Sequence, residues 1–362
     1  MSENQRLRRL RRTLLEQELD GVLVSTPENR RYLSGFAGSA GYLLISQKEA
    51  VLATDFRYVE QAGHQAPDFR VEHISRGLDW FTRLASELGV KRLGFESQSM
   101  TVATHLAFNK AIDDAEGTDK AELVSTAGIV ESLRAVKDEA ELRLLIKAVE
   151  IADRAFEQVA PTIEPGVTEG EVAWQLEKAM RESGAEAIAF DIIVGAGPNG
   201  ALPHHRAGEK VIQRGEAVVI DMGATYLGYC SDLSRTLIVG ESDETFRRVY
   251  DTVLRAQQAA EEKVAMGMTG GDVDAISRDI ISEAGYGDNF GHSLGHGVGL
   301  AVHEHPTVGP SSKDTLEDGM VFTVEPGIYL SGWGGVRIED MVVLENGRAR
   351  VLSKAHKLEV AV

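Results

Sequence analysis

An α/β domain over residues 1–127, followed by an α+β domain with an antiparallel sheet over residues 128–362, is what the sequence predicts, on three observations. Short apolar runs alternate with polar helical stretches through about the first 125 positions, the pattern of helices layered on a sheet. The alternation breaks in VSTAGIVESLRAVK, and a long amphipathic segment follows. Beyond it, helical segments give way to strand-like runs joined through glycine-containing turns, the order of an α+β layer arrangement.

The chain opens on a helix in which Leu7, Leu10 and Leu14 share a face, while Arg6, Arg8, Arg9, Arg11 and Arg12 supply a solvated one. DGVLVST, GYLLIS, AVLAT, FRVEHIS and KRLGFES then read as strands. In the second part Leu142, Leu145, Ile146, Val149, Ala152, Phe156 and Val159 recur at helical spacing from Asp138 until Pro161. Thr168 with Glu171, and Thr269 with Asp272, have the spacing of capping boxes, so helices open there and end near Gly184 and Gly285. AVVIDMG, SRTLIVG, MVFTVEP and VRIEDMVVL are the strands.

With 362 residues, 43% hydrophobic and 26% charged, the chain is long enough for two domains with cores of their own. Its net charge of −18 argues against nucleic acid or an anionic membrane as a partner. Cys230 is the single cysteine, which excludes an intramolecular disulfide and reads as a small buried hydrophobe. No signal region and no apolar run of about 20 residues is present, so a cytoplasmic enzyme is the expectation.

Asp221, Asp232, His296, Glu325 and Glu339 each stand in an apolar or glycine-rich stretch, where a bare charge is costly to bury. Converging in a core they would repel one another unless cations neutralised them, so they read as ligands of two divalent metals, placed on strands. Asp221 ends the apolar run VVID, whereas Asp232 taken alone reads as a surface acid near a turn. Pro326 holds Glu325 extended, and Arg337 shares a face with Glu339, either as its ion-pair partner or as a substrate contact. His204, His205, His292, His296, His303 and His305 gather in polar or glycine-rich sequence, a pattern of ligands and catalytic groups. One imidazole with four carboxylates favours Mn(II) or Co(II), with Zn(II) also possible. Water bridging two such ions is a nucleophile near neutral pH, and Glu325 can shuttle its proton.

From YLSGFAGSAG and TDFRYVEQA to HSLGHGVGLAVHE, VEPGIY and GGVRIED, the chain resembles the pita-bread metallopeptidases of the aminopeptidase P and prolidase branch. The resemblance implies a creatinase-like α/β amino-terminal domain and a pita-bread catalytic domain with a curved antiparallel sheet. It implies that Asp221, Asp232 and His296 bind metal, that Glu325 and Glu339 are shared between the metals, and that His204 and His303 act on the scissile peptide. His292 then belongs to the proline-accommodating pocket, and Arg337 supports the site or touches substrate. The implied reaction removes the first residue from short peptides with proline second, through a metal-bridging hydroxide, in a homodimer. GFAGSAG and TDFRYVEQA look more like aminopeptidase P; the alternative is an Xaa-Pro dipeptidase limited to dipeptides. A non-catalytic peptide-binding homologue would be expected to have lost ligands, and a methionine aminopeptidase leaves the first 125 or so residues unexplained.

Overall fold

The computed structural model describes residues 3–116 and 120–358. Its chain divides into two units, Met1–Arg134 and Ala135–Val362. In the first, a six-stranded sheet runs in the order Arg70–His73, Ala50–Thr54, Tyr42–Ser46, Gly21–Val24, Arg92–Glu96 and Glu122–Thr126. Tyr42–Ser46 is antiparallel to both neighbours and the other pairings are parallel. Each predicted run supplies a strand. Glu122–Thr126 is an unpredicted sixth, an edge strand with no fully buried position and hence no strong apolar signal. Leu7, Leu10 and Leu14 are buried as their spacing requires. Two of the basic residues on that helix do more than meet solvent: Arg6 donates to the Tyr32 carbonyl at 2.8 Å and Arg11 to that of Ser46 at 3.0 Å.

The second unit begins with the helix Glu139–Val159. The Asp138 carboxylate accepts from the amides of Ala140 and Glu141, and Glu141 accepts from the Asp138 amide, closing a capping box. Leu145, Val149, Ala152, Phe156 and Val159 form its buried stripe. With Glu169–Glu182, capped by Thr168, it covers a sheet of Ile193–Ala196, Ala217–Met222 and Leu233–Ile238. A second helix pair, Glu244–Lys263 and Gly270–Glu283, packs on a five-stranded sheet. Thr269 opens Gly270–Glu283 with the expected capping box, but Glu244–Lys263 is not among the predicted helices. Its apolar stripe is interrupted by charged and glutamine residues, and Asp243 caps it without a reciprocal partner. The paired strands of this unit are all antiparallel, carried by several short sheets.

Those sheets are short because the chain changes sheet repeatedly, and the changes coincide with the acids. Asp221 lies within Ala217–Met222 and His296 within Gly295–Gly297, as expected of strand-borne groups. Asp232, Glu325 and Glu339 do not lie on strands: each falls in a two-residue break, before Leu233–Ile238, after Val321–Val324 and before Asp340–Glu345. Pro326 cannot donate to a ladder, so the strand ends at Val324 and Glu325 falls in the break. The amides at the breaks are still satisfied, Glu325 donating to the Leu294 carbonyl at 2.8 Å and Glu339 to that of Ser234 at 3.1 Å. The side chains there are free of the alternating pleat.

Candidate functional site

Nine of the residues singled out from the sequence line one cavity of about 560 Å³: Asp221, Asp232, His296, Glu325 and Glu339, with His204, His292, His303 and Arg337; His305 does not, and its Nδ1 lies 3.1 Å from Asp314 Oδ2 instead. The hairpin brings the two aspartates in, because Asp221 pairs with Ser234 and Met222 with Leu233 across Ala217–Met222 and Leu233–Ile238. Gly223 permits the bend beyond that ladder: a Cβ there would stand 2.1 Å from the Ser231 carbonyl oxygen.

Asp232, His296 and Glu339 form the tightest group, each presenting a ligand atom within 4.8 Å of the other two. Asp232 and Glu339 are 5% and 1% exposed. His296 Nε2 lies 3.6 Å from Asp232 Oδ2 and 3.3 Å from Glu325 Oε1. Asp221 turns Oδ2 to the Arg337 guanidinium at 2.6 Å, while its buried Oδ1 has no hydrogen-bond partner among the protein atoms. A buried carboxylate oxygen left over inside a group of carboxylates and one imidazole is what a divalent cation satisfies, so these residues fit one.

The electrostatics agree. Burial first, then repulsion from neighbouring carboxylates, pushes Asp232 and Glu339 well above the usual carboxylate range. Burial also raises Asp221, against the opposing charge of Arg337. Glu325 behaves oppositely: burial is the largest influence and would raise it, but the hydrogen bond and charge of His296, with His292 and Arg337, together hold it below its ordinary value. Acids this close keep protons unless a cation takes their place.

A second layer of side chains holds these groups in place. Ser234 Oγ accepts from Arg337 Nε and donates to Glu339 Oε2, both at 2.8 Å. Thr323 Oγ1 accepts from the His296 amide at 3.1 Å and donates to Glu325 Oε1 at 3.0 Å. Arg337 is not the ion-pair partner of its sequence neighbour Glu339; it reaches across to Asp221, and its Nη1 donates to the Tyr329 hydroxyl at 2.9 Å. The tyrosine proton is then directed at His292 Nε2, 2.9 Å away, and His292 Nδ1 donates to the Ser293 carbonyl at 2.8 Å. That tautomer needs a neutral ring, and burial lowers the His292 pKa accordingly. With both nitrogens engaged, His292 offers the cavity its ring. His303 packs 4.1 Å from His296, centroid to centroid, and burial followed by the neighbouring imidazolium lowers its pKa, which keeps it neutral at pH 7.

Sequence reasoning missed Ser234, Thr323 and Tyr329. The first two stand two residues from an acid of the site, but those acids lie in breaks outside the strands, so the spacing alone does not mark the hydroxyls. His205 also acquires a role: its Nε2 meets Glu169 Oε2 at 2.7 Å. Glu169 is fully buried and also accepts from the Ala196 amide at 2.8 Å and Asn199 Nδ2 at 2.9 Å, so it pins the loop that carries His204.

Residues 143–346 match the model of metallopeptidase family M24, and residues 6–136 that of the creatinase/prolidase N-terminal domain. The structure is similar to an Xaa-Pro dipeptidase from Bacillus anthracis, with a TM-score of 0.95 and 44% identity over 99% of each chain. The chain is 37% identical to the Xaa-Pro dipeptidase of Pyrococcus horikoshii over 98% of both. An X-Pro aminopeptidase from Thermotoga maritima superposes with a TM-score of 0.88 at 37% identity, again over 98% of each. The two-domain architecture expected from the resemblance, creatinase-like and then pita-bread, is therefore the one this chain adopts. It is a metallo-exopeptidase, and it belongs to metallopeptidase family M24.

Proposed function

We propose that the chain is an Xaa-Pro dipeptidase, cleaving the bond between a first residue and a proline that ends the peptide. The observation that carries this reading is end-to-end similarity to enzymes named for that activity, at 37% and 44% identity. GFAGSAG and TDFRYVEQA favour aminopeptidase P, and the Thermotoga maritima X-Pro aminopeptidase supports that as the second reading. The balance of relatives moves the preference to the dipeptidase.

Asp221, Asp232, His296, Glu325 and Glu339 would hold two divalent cations, manganese first, cobalt or zinc next. Such cations polarise a carbonyl and make bound water nucleophilic at neutral pH. The residues supply the remainder. Glu325, kept ionised, takes the proton of the attacking water and delivers it to the departing proline nitrogen. His204 and His303, both open to the cavity, donate to the carbonyl oxygen as negative charge develops on it. The His292 ring forms the wall for the proline ring, held by the Tyr329 hydroxyl behind it, and Arg337 holds Asp221 and Tyr329 in register. The tertiary amide before proline has no N–H, so nothing in this scheme asks the substrate for that donor.

A length series tests the proposal. Metal-stripped protein is reconstituted with Mn(II), Co(II) or Zn(II) and given Ala-Pro, Ala-Pro-Ala and a longer Xaa-Pro peptide. Cleavage confined to Ala-Pro is expected; equal cleavage of Ala-Pro-Ala selects aminopeptidase P, and no cleavage with any metal removes both readings.

A further inference from the structure

His303 reaches the cavity from a loop, residues 298–303, that joins the strands Gly295–Gly297 and Glu304–Val308. The base of the loop is tied to neighbouring backbone: the Val298 amide donates to the Val321 carbonyl at 3.1 Å, and the Cys230 amide to that of Gly299 at 2.8 Å. Nearer its tip the tie comes from a side chain. The Ala301 amide donates to Glu304 Oε2 at 3.4 Å, and Glu304 is the residue that follows His303.

Glu304 is folded inward beneath its own loop. A Cβ at Gly299 would stand 2.2 Å from Glu304 Oε1, so the carboxylate fills the space that a side chain at 299 would take. Lys137 meets it there: Nζ donates to Glu304 Oε1 at 2.7 Å and to the Ala135 carbonyl at 3.2 Å, and the lysine and glutamate side chains are 1% and 4% exposed. Both residues belong to the second unit. Lys137 is itself anchored, since its amide donates to the Gly319 carbonyl at 2.8 Å and Asp138 beside it caps the helix Glu139–Val159. Taking two charges out of water costs about what their attraction returns, so such a pair adds little stability over apolar residues of equal volume. What it adds is a fixed position, because the carboxylate cannot leave without abandoning an ammonium in the interior.

We propose that Glu304, locked by Lys137, is a positioning residue of the reaction, holding the loop so that the His303 imidazole meets the reacting carbonyl oxygen. The proposal rests on the role given to His303 above and holds for either length of substrate. Glu304 is not among the residues lining the cavity, and no bond is made or broken at it. The His296 ring, 4.1 Å away between centroids, backs the imidazole, and the loop sets the rest of its placement. A donor to a developing negative charge works only in register, and a displacement of about 1 Å costs up to about 100-fold in rate.

The test compares Glu304→Ala, His303→Ala and the variant carrying both, as manganese-loaded protein, on Ala-Pro and a longer Xaa-Pro peptide. Because Glu304→Ala leaves Lys137 buried and unpaired, Lys137→Met combined with Glu304→Met is added, which fills the same volume and leaves no charge behind. Amide hydrogen exchange over residues 298–303 of metal-free protein reads the loop itself. Both Glu304 variants are expected to exchange faster there and to lower kcat by about 10- to 100-fold, with KM and metal content unchanged. Glu304→Ala should cost nothing further once His303 is alanine, since the two act through one group. Unchanged exchange, unchanged kcat in the folded Met pair, a loss carried by KM or metal content, or a loss that multiplies that of His303→Ala overturns the proposal. Faster exchange in the variants of a protein that turns over no Xaa-Pro peptide with any metal leaves the hold on the loop standing and removes the Xaa-Pro reading instead.

Discussion

At the scale of single residues, each buried acid of the site is tied to a particular partner, and the ties differ. For Asp232, burial and the charges of Glu339, Asp221 and Glu325 outweigh the opposing charge of Arg337, which makes it strongly dependent on a cation. Asp232→Asn is expected to lower metal content, read by elemental analysis, while leaving the far-ultraviolet circular dichroism unchanged; undiminished metal would take Asp232 out of the ligand set. Ser234 orients Glu339 and receives Arg337 through one oxygen. Groups that orient a ligand typically govern metal affinity by about 10- to 100-fold, and Ser234→Ala should lose affinity in that range in a competition titration. Asp221, at the end of its apolar run, is legible in sequence as a site acid. Ser234 is not, because a serine near a turn has many uses and only the pairing of Ser234 with Asp221 shows this one.

At the scale of elements, the breaks between strands decide where the acids point. The break that carries Glu339 is held from behind by Arg235, which is 2% exposed. Its Nη1 donates to the Glu339 carbonyl at 2.5 Å, its Nη2 to Asp340 Oδ1 at 2.7 Å, and its Nε to the Ala355 carbonyl at 3.1 Å. Removing it leaves the buried Asp340 with Lys357 and Gln257 on its other oxygen only, and several carbonyls without donors. Arg235→Ala should cost about 3–5 kcal/mol in urea unfolding, and a loss under 1 kcal/mol would show that the network relaxes around the gap. The hairpin joining Asp221 to Asp232 is legible in the sequence, as are the capping boxes, because local spacing encodes both. The breaks at Glu325 and Glu339 are less so: Pro326 marks the first, but no local residue marks the second, which depends on the amide of Glu339 finding Ser234 more than 100 residues away in sequence.

At the scale of the whole molecule, stability is linked to pH through a buried group remote from the cavity lining. Burial, then the nearby Asp340 charge, pushes Glu261 from an ordinary 4.5 up to about 8, with Lys357 opposing. The folded chain therefore keeps this proton while the unfolded chain has released it. Stability falls as pH rises from about 4.5 to 8, and the loss is complete above that. Glu261→Gln should flatten this part of the stability profile, which thermal melts across the interval measure; an unchanged slope would place the effect on other groups. Assembly belongs to the same scale. Phe56, in the TDFRY motif, is 77% exposed, and a homodimer that covers it is the expected species in sizing experiments. A fully active monomer would contradict that.

The amino-acid sequence determined the division into α/β and α+β parts, the capped helices, and the identity of the buried acids and histidines, because periodicity, caps and misplaced charge are local properties. It left open which partner each charged group takes. Arg337 stands two residues from Glu339 in the chain yet bonds Asp221, since the guanidinium reaches whatever acid the folded sheets bring to it. His205 and Arg206 sit side by side, one anchored to Glu169 and the other unpartnered in the cavity. Those distinctions rest on contacts between distant segments, and only the tertiary structure decides them.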